Sequence, residues 1–314
     1  MKQFTFDGIC CDSSVWPVPL FNEKHLESLA KHQGFKMNIV LKTHISKQLD
    51  IGKLKNSKSD IIICLCPDQH NLGFNYEQIK SLGYKKIIWI NDEPIFHYNS
   101  MGKQAHLNFL SNHQENFIYY CSNFDKLKSP TNCLKKTWNS GLNLFFPQKP
   151  EIKNKKFQAV LDASTTSSWA GRQSFFDAFS SIKDLPKILN IGESWDYTSD
   201  IISKSKIYII PPHPLVIHWL RFSRALHLGA LPVVFNYDGW MDDEDIRKSY
   251  PDIFSENNKT CLLANVSEFE LIVKKLKNED YVDSLIDNIY KKNLYEYSIE
   301  KTWDELYNDL LYLV

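Results

Sequence analysis

The chain has 314 residues, 37 basic against 37 acidic side chains, 43% hydrophobic and 24% charged residues, the ordinary mix of a globular protein long enough for two domains. Its longest apolar runs, such as residues 61–66, are strand-sized, far from the roughly 18 or more apolar residues of a membrane span. Neither a secretory leader pattern at residues 1–14 nor a C-x-x-C pair is present, so the chain reads as cytosolic, at most touching a membrane surface, with its seven cysteines reduced and packed.

In chain order, the first half predicts strands over 4–9, 37–41, 60–65, 86–90, 117–121 and around Cys133, with helices over 22–32, 76–82 and 103–113. Short apolar runs separated by helical segments imply parallel strands joined by crossover helices. In such sheets ligands bind beyond the carboxyl ends of the strands, so the loops there are where chemistry is sought. The loop after the fourth strand carries Asp92, Glu93 and His97, a carboxylate pair and an imidazole suited to taking a proton from a hydroxyl. Asp68 and His70 after the third strand, and Asp12 after the first, are rivals for that role. Residues 1–150 also hold 18 Lys and no Arg against 12 acidic residues, an excess that suggests an anionic partner.

A polar, proline-containing stretch at 148–156 reads as a linker. It divides the chain into an acceptor-side domain, 1–150, and a second domain, 151–314, in which the alternation resumes. Strands are predicted over 157–161, 187–190, 207–210, 231–235 and 260–263, and helices over 172–181, 216–228, 266–277, 281–292 and 299–311. The chain has four arginines among 37 basic residues, at 172, 221, 224 and 247. An arginine retained in so lysine-rich a chain marks a place where a planar fork binding phosphate or carboxylate does what an ammonium cannot. After the strand ending at Leu161, small and hydroxyl residues lead to Gly171 and Arg172 at a helix start, a pattern suited to a diphosphate. A Pro/His loop containing His213 precedes the helix that bears Arg221 and Arg224, three residues apart and hence on neighbouring surface. The acidic run at 242–245 reads as helix capping rather than a metal site.

The segment R-F-S-R-A-L-H-L-G-A-L-P-V-V, 221–234, resembles the nucleotide-sugar motif of exostosin-like and spore-maturation-type glycosyltransferases, roughly R-x-x-E-A-L-x-x-G-x-x-P-V. Arg221, Ala225, Leu226, Gly229, Pro232 and Val233 match it. The acidic position, which resembling enzymes use on the donor ribose, falls on Arg224. The resemblance covers residues 157–314 and extends more weakly to the first half. It implies an α/β chain of the GT-B type: two Rossmann-like domains facing across a cleft, the last helix crossing back to the first.

From this follows the expected activity: transfer of a sugar from a nucleotide-diphosphate sugar, as in the many resembling enzymes with a uridine donor, to a glycan or glycolipid acceptor. Donor contacts are expected from Gly171, Arg172, His213, Arg221 and Arg224, and the base from Asp92, Glu93 or His97. No metal or other cofactor is expected, the nucleotide sugar being a co-substrate. One alternative takes a DNA base, a hydroxymethylated pyrimidine, as acceptor, in the manner of phage-type transferases; the lysine excess allows it. The other is a non-catalytic nucleotide- or sugar-binding protein, which Arg224 at the acidic position favours.

Overall fold

The computed structural model describes residues 2–11, 22–43, 49–65, 76–91, 117–121, 134–137, 141–146, 150–162, 172–190, 194–212, 219–236, 262–291 and 298–313. The chain forms two compact units, Met1–Phe145 with Tyr295–Val314, and Phe146–Leu294. Among the described residues, no helix is long and apolar enough to cross a membrane.

The first unit is built on β1 (Phe4–Cys11), β2 (Phe35–Thr43), β3 (Ile61–Leu65), β4 (Lys86–Asn91), β5 (Phe117–Cys121) and β6 (Leu134–Thr137), with α1 (Glu23–Lys31) and α2 (Tyr76–Lys80) between them. Its sheet has the order β2-β1-β3-β4-β5-β6, and every pairing is parallel. Ile61–Leu65 is buried at every position. That is the signature of a central parallel strand covered on both faces, and it explains a continuous apolar run rather than an alternating one.

The register between β1 and β2 shifts between Phe6 and Gly8. The buried Asp7 carboxylate lies at this irregularity, accepting from the Ile39 N–H at 3.0 Å, Asn38 Nδ2 at 3.1 Å, Ser59 Oγ at 2.9 Å and the Tyr84 hydroxyl at 2.6 Å. A fully buried carboxylate is tolerable only with its lone pairs engaged. Asp7 is therefore a structural clamp joining β1, β2 and the approaches to β3 and β4.

The second unit contains β7 (Phe157–Asp162), α3 (Arg172–Ser181), β8 (Lys187–Asn190), α4 (Trp195–Ser203), β9 (Ser205–Ile210), α5 (Trp219–His227), β10 (Leu231–Asn236), β11 (Leu262–Asn265), α6 (Phe269–Leu276) and α7 (Glu279–Lys291). Its sheet order is β11-β10-β9-β7-β8, again all parallel. Numbered within the unit and read from the other edge, this is 2-1-3-4-5, as in the first unit's leading five strands. The reversal between the first and third strands falls at β7/β9, and such switch points are where doubly wound sheets bind ligands.

Two devices hold α4 and α5 in place beside this point. A Schellman motif ends α5: the Ala230 N–H bonds the Ala225 carbonyl at 2.9 Å and the Gly229 N–H the Leu226 carbonyl at 3.3 Å. Gly229 has φ +79°, and a Cβ there would come within 2.4 Å of the Glu151 carbonyl oxygen, so the position needs glycine on two counts. Lys155 then joins the carboxyl ends of both helices, donating to the Ser203 carbonyl at 2.6 Å and the Leu228 carbonyl at 3.3 Å. Burial lowers its pKa to about 8, against the opposing pull of Glu151.

The last helix, α8 (Ile299–Leu313), belongs to the first unit. Its apolar stripe packs on α1, with Trp303 buried and its indole N–H donating to Ser28 Oγ at 3.3 Å. Tyr307 lies against Phe4 and Phe35, and its hydroxyl donates to the Lys2 carbonyl at 2.9 Å. His32 meets Asp304 at 2.9 Å. The amphipathic pattern of residues 299–311 is thus accounted for by packing on the first sheet's flank.

Candidate functional site

Asp162 is the last residue of β7, at the carboxyl end of the strand beside the switch point. Tyr208 on neighbouring β9 is fully buried and donates its hydroxyl to Asp162 Oδ2 at 3.3 Å. Burial first, and then the Asp162 carboxylate, push the Tyr208 pKa up, with Arg221 and Arg224 opposing. Tyr208 is therefore a neutral donor at physiological pH.

Two arginines reach the same carboxylate from α5. Arg221 Nη1 lies 3.8 Å from Asp162 Oδ2 and donates to the Asp162 main-chain carbonyl. Arg224 Nη1 is also 3.8 Å from Oδ2. The three-residue spacing puts both on one side of α5, while Phe222, Ala225 and Leu226 are fully buried.

The two arginines have different environments. The Arg221 side chain is 20% exposed, that of Arg224 only 5%. Arg224 donates through Nε and Nη2 to Ser199 Oγ, at 3.2 and 2.7 Å, and through Nη2 to the Trp195 carbonyl at 2.6 Å. Its guanidinium also stacks on the Trp195 ring, 3.7 Å from the centroid, a cation–π contact strengthened by burial. Burial lowers the Arg224 pKa, opposed by the Asp162 carboxylate, yet a guanidinium starts so far above neutrality that it stays charged.

The sheet and helices thus converge two fixed positive charges, one carboxylate and one phenolic donor at a strand's carboxyl end. Arg221 is the partly exposed cation of the group. An anion with several oxygens can be met here by a planar fork whose orientation is already set by a main-chain carbonyl, which lowers the ordering cost of binding.

Among the residues expected from sequence to form the site, Arg221 and Arg224 are brought together. Arg172 opens α3, and its side chain is outside the described set. Gly171, His213, Asp92, Glu93, His97, Asp68, His70 and Asp12 lie outside the described residues, as does the acidic run at 242–245. Among the described residues there is no group of three or more His, Cys, Asp or Glu that could hold a metal ion.

Four contributors escaped the sequence reading: Asp162, Tyr208, Trp195 and Ser199. Asp162 sits one residue beyond the expected end of its strand. Tyr208 reads as another apolar strand residue. Trp195 and Ser199 lie on α4, a helix the reading omitted; its signal was the N-cap, where Ser194 Oγ accepts from the Tyr197 N–H at 3.3 Å.

No protein-family model matches the sequence, and no curated protein is similar enough in sequence to place it in a family. Solved structures do share its fold. Anabaena HepE, in complex with UDP-glucose, has a TM-score of 0.59 at 9% identity, over 99% of this chain and 100% of that one. An alpha-glucosyltransferase in complex with UDP and a 13-mer DNA containing a HMU base has a TM-score of 0.57 at 9% identity, over 98% and 99%. The DNA-modifying enzyme beta-glucosyltransferase, studied with and without uridine diphosphoglucose, has a TM-score of 0.50 at 11% identity, over 96% and 99%. The similarity extends over nearly the whole of each chain and establishes the two-unit Rossmann-like fold of GT-B proteins. The exostosin-like subgroup has no counterpart among these structures.

Proposed function

We propose that this chain is a glycosyltransferase that takes a sugar from a nucleoside-diphosphate sugar, with a uridine donor the first to test. The observation that carries the reading is the convergence of Arg221, Arg224, Asp162 and Tyr208 at the β7/β9 switch point, in a fold whose solved examples include proteins holding UDP or UDP-glucose. Arg221 would hold the diphosphate, with Gly171, Arg172 and His213 completing the contacts and Arg224 adding fixed charge from behind. Its main contribution to rate would be stabilising the negative charge that develops on the departing diphosphate. The first unit would present a glycan or glycolipid acceptor, with Asp92, Glu93 or His97 as the base, and no metal would take part.

A thermal-shift screen of nucleoside diphosphates tests the donor class. UDP at 100 times its dissociation constant is expected to add about 2.7 kcal/mol of stability, with a matching rise in the unfolding midpoint. A flat response across all nucleoside diphosphates would rule the reading out. Hydrolysis of the matching nucleotide sugar without acceptor would in turn exclude a non-catalytic binding protein.

A second reading keeps the chemistry and makes a base in DNA the acceptor. Two observations favour it: the lysine excess of residues 1–150 and the fold shared with an alpha-glucosyltransferase bound to DNA. The absence of arginine from that half points to contacts with phosphates rather than to bidentate reading of guanine. Duplex binding should then weaken steeply between about 50 and 200 mM salt. Salt-independent or undetectable binding would leave the glycan or glycolipid acceptor.

A further inference from the structure

We propose that Asp162 is a resident counter-anion that holds down the affinity of the donor site for diphosphate, so that the nucleoside diphosphate product can leave. This rests on the reading of the site as a nucleoside-diphosphate site and adds a residue that sets its affinity.

Among the described residues, two guanidinium groups and a phenol face Asp162 Oδ2. Arg221 Nη1 and Arg224 Nη1 each lie at 3.8 Å, and the neutral Tyr208 hydroxyl at 3.3 Å. Among the described residues these groups carry one net positive charge with the carboxylate present and two without it. Arg224 is anchored by Trp195 and Ser199, so its charge is part of the permanent field of the site. The Asp162 side chain is only 16% exposed and that of Arg221 20%. An anion reaching Arg221 therefore meets the carboxylate with little water between them, where like-charge repulsion is weakly screened.

Orientation and charge are supplied by different parts of Asp162. Its main-chain carbonyl takes the hydrogen bond from Arg221 Nη1, whereas both carboxylate-to-guanidinium distances exceed hydrogen-bonding length. Asp162→Asn removes the negative charge and keeps the carbonyl that directs Arg221. Its amide oxygen can still accept from Tyr208. The substitution should therefore leave the fork aimed and raise its attraction for phosphate.

The test is isothermal titration of the full chain with UDP and, separately, inorganic pyrophosphate. Asp162→Asn is expected to bind both at least about tenfold more tightly than wild type, with correspondingly slower UDP dissociation in stopped flow. Arg224→Met, which removes the other charge, should bind about tenfold more weakly. The double variant, with the wild-type net charge, should fall within about threefold of wild type. If Asp162→Asn fails to fold because it leaves Arg224 buried without its counter-charge, the double variant measured against Arg224→Met alone carries the same test, with the same tenfold gain expected. An Asp162→Asn variant that binds UDP no better than wild type, or a double variant no better than Arg224→Met, overturns the proposal. A wild type that binds neither UDP nor pyrophosphate overturns the donor-site reading, and this inference with it.

Discussion

Arg221→Ala is expected to raise the dissociation constant for the nucleoside diphosphate by roughly 10- to 150-fold, because a charge-assisted pair of hydrogen bonds contributes about 1.5–3 kcal/mol. Turnover should fall with it, since the same guanidinium would stabilise the leaving diphosphate. The fold should survive: Arg221 is the partly exposed arginine of the pair, and the neighbouring α5 residues Phe222, Ala225 and Leu226 supply the buried face. Arg221→Lys should recover only part of the affinity. An ammonium has no planar fork with which to bond the Asp162 carbonyl and span two phosphate oxygens together. Titration of both variants, with unfolding midpoints measured alongside, is the check. Wild-type affinity in both would show that the phosphate is held elsewhere.

Turnover should respond most to loss of the base. If Asp92 or Glu93 takes the proton of the acceptor hydroxyl, its Ala variant is expected to lose about 10²- to 10⁴-fold in kcat. UDP affinity should be unchanged, because the proposed donor contacts belong to the second unit. In the sequence the two carboxylates and His97 come directly after Asn91, the last residue of β4, which pairs in parallel with β3 and β5. Single Ala variants at Asp92, Glu93, Asp68 and Asp12, each assayed for kcat and for UDP binding, separate the candidates. Collapse at Asp68 or Asp12 with normal turnover at the other two would move the base to another strand end. Normal turnover in all four would argue for a mechanism in which none of these carboxylates is the base.

Much of the architecture was legible because parallel strands buried on both faces are written as short apolar runs. The Ile61–Leu65, Lys86–Asn91 and Leu231–Asn236 strands fall within a residue of where the runs predict them. The helix Arg172–Ser181 was found from its Gly-Arg start and apolar spacing. Helix α4, Trp195–Ser203, was not. Its buried face includes Thr198 and Ser199 beside Ile201 and Ile202, so its hydrophobic period is blurred, and it is rich in residues that favour helices weakly. Ser199 is buried with its hydroxyl accepting from Arg224, a partner that lies 25 residues further along the chain.

The sequence by itself determined the alternation of strand and helix, the glycine that ends α5, and the placing of two arginines three residues apart on one helix. These are local properties, set by the periodicity of burial and by backbone conformation. Only the tertiary structure decided how the arginines differ. One is sealed against Trp195 and Ser199, the other is partly exposed beside Asp162, and the carboxylate facing both comes from the end of a strand 59 residues before Arg221. Spacing along a helix establishes which residues share a face. The charges and hydrogen-bond partners opposite that face are supplied by neighbouring strands and helices, and their identity follows from the order in which the sheet is assembled.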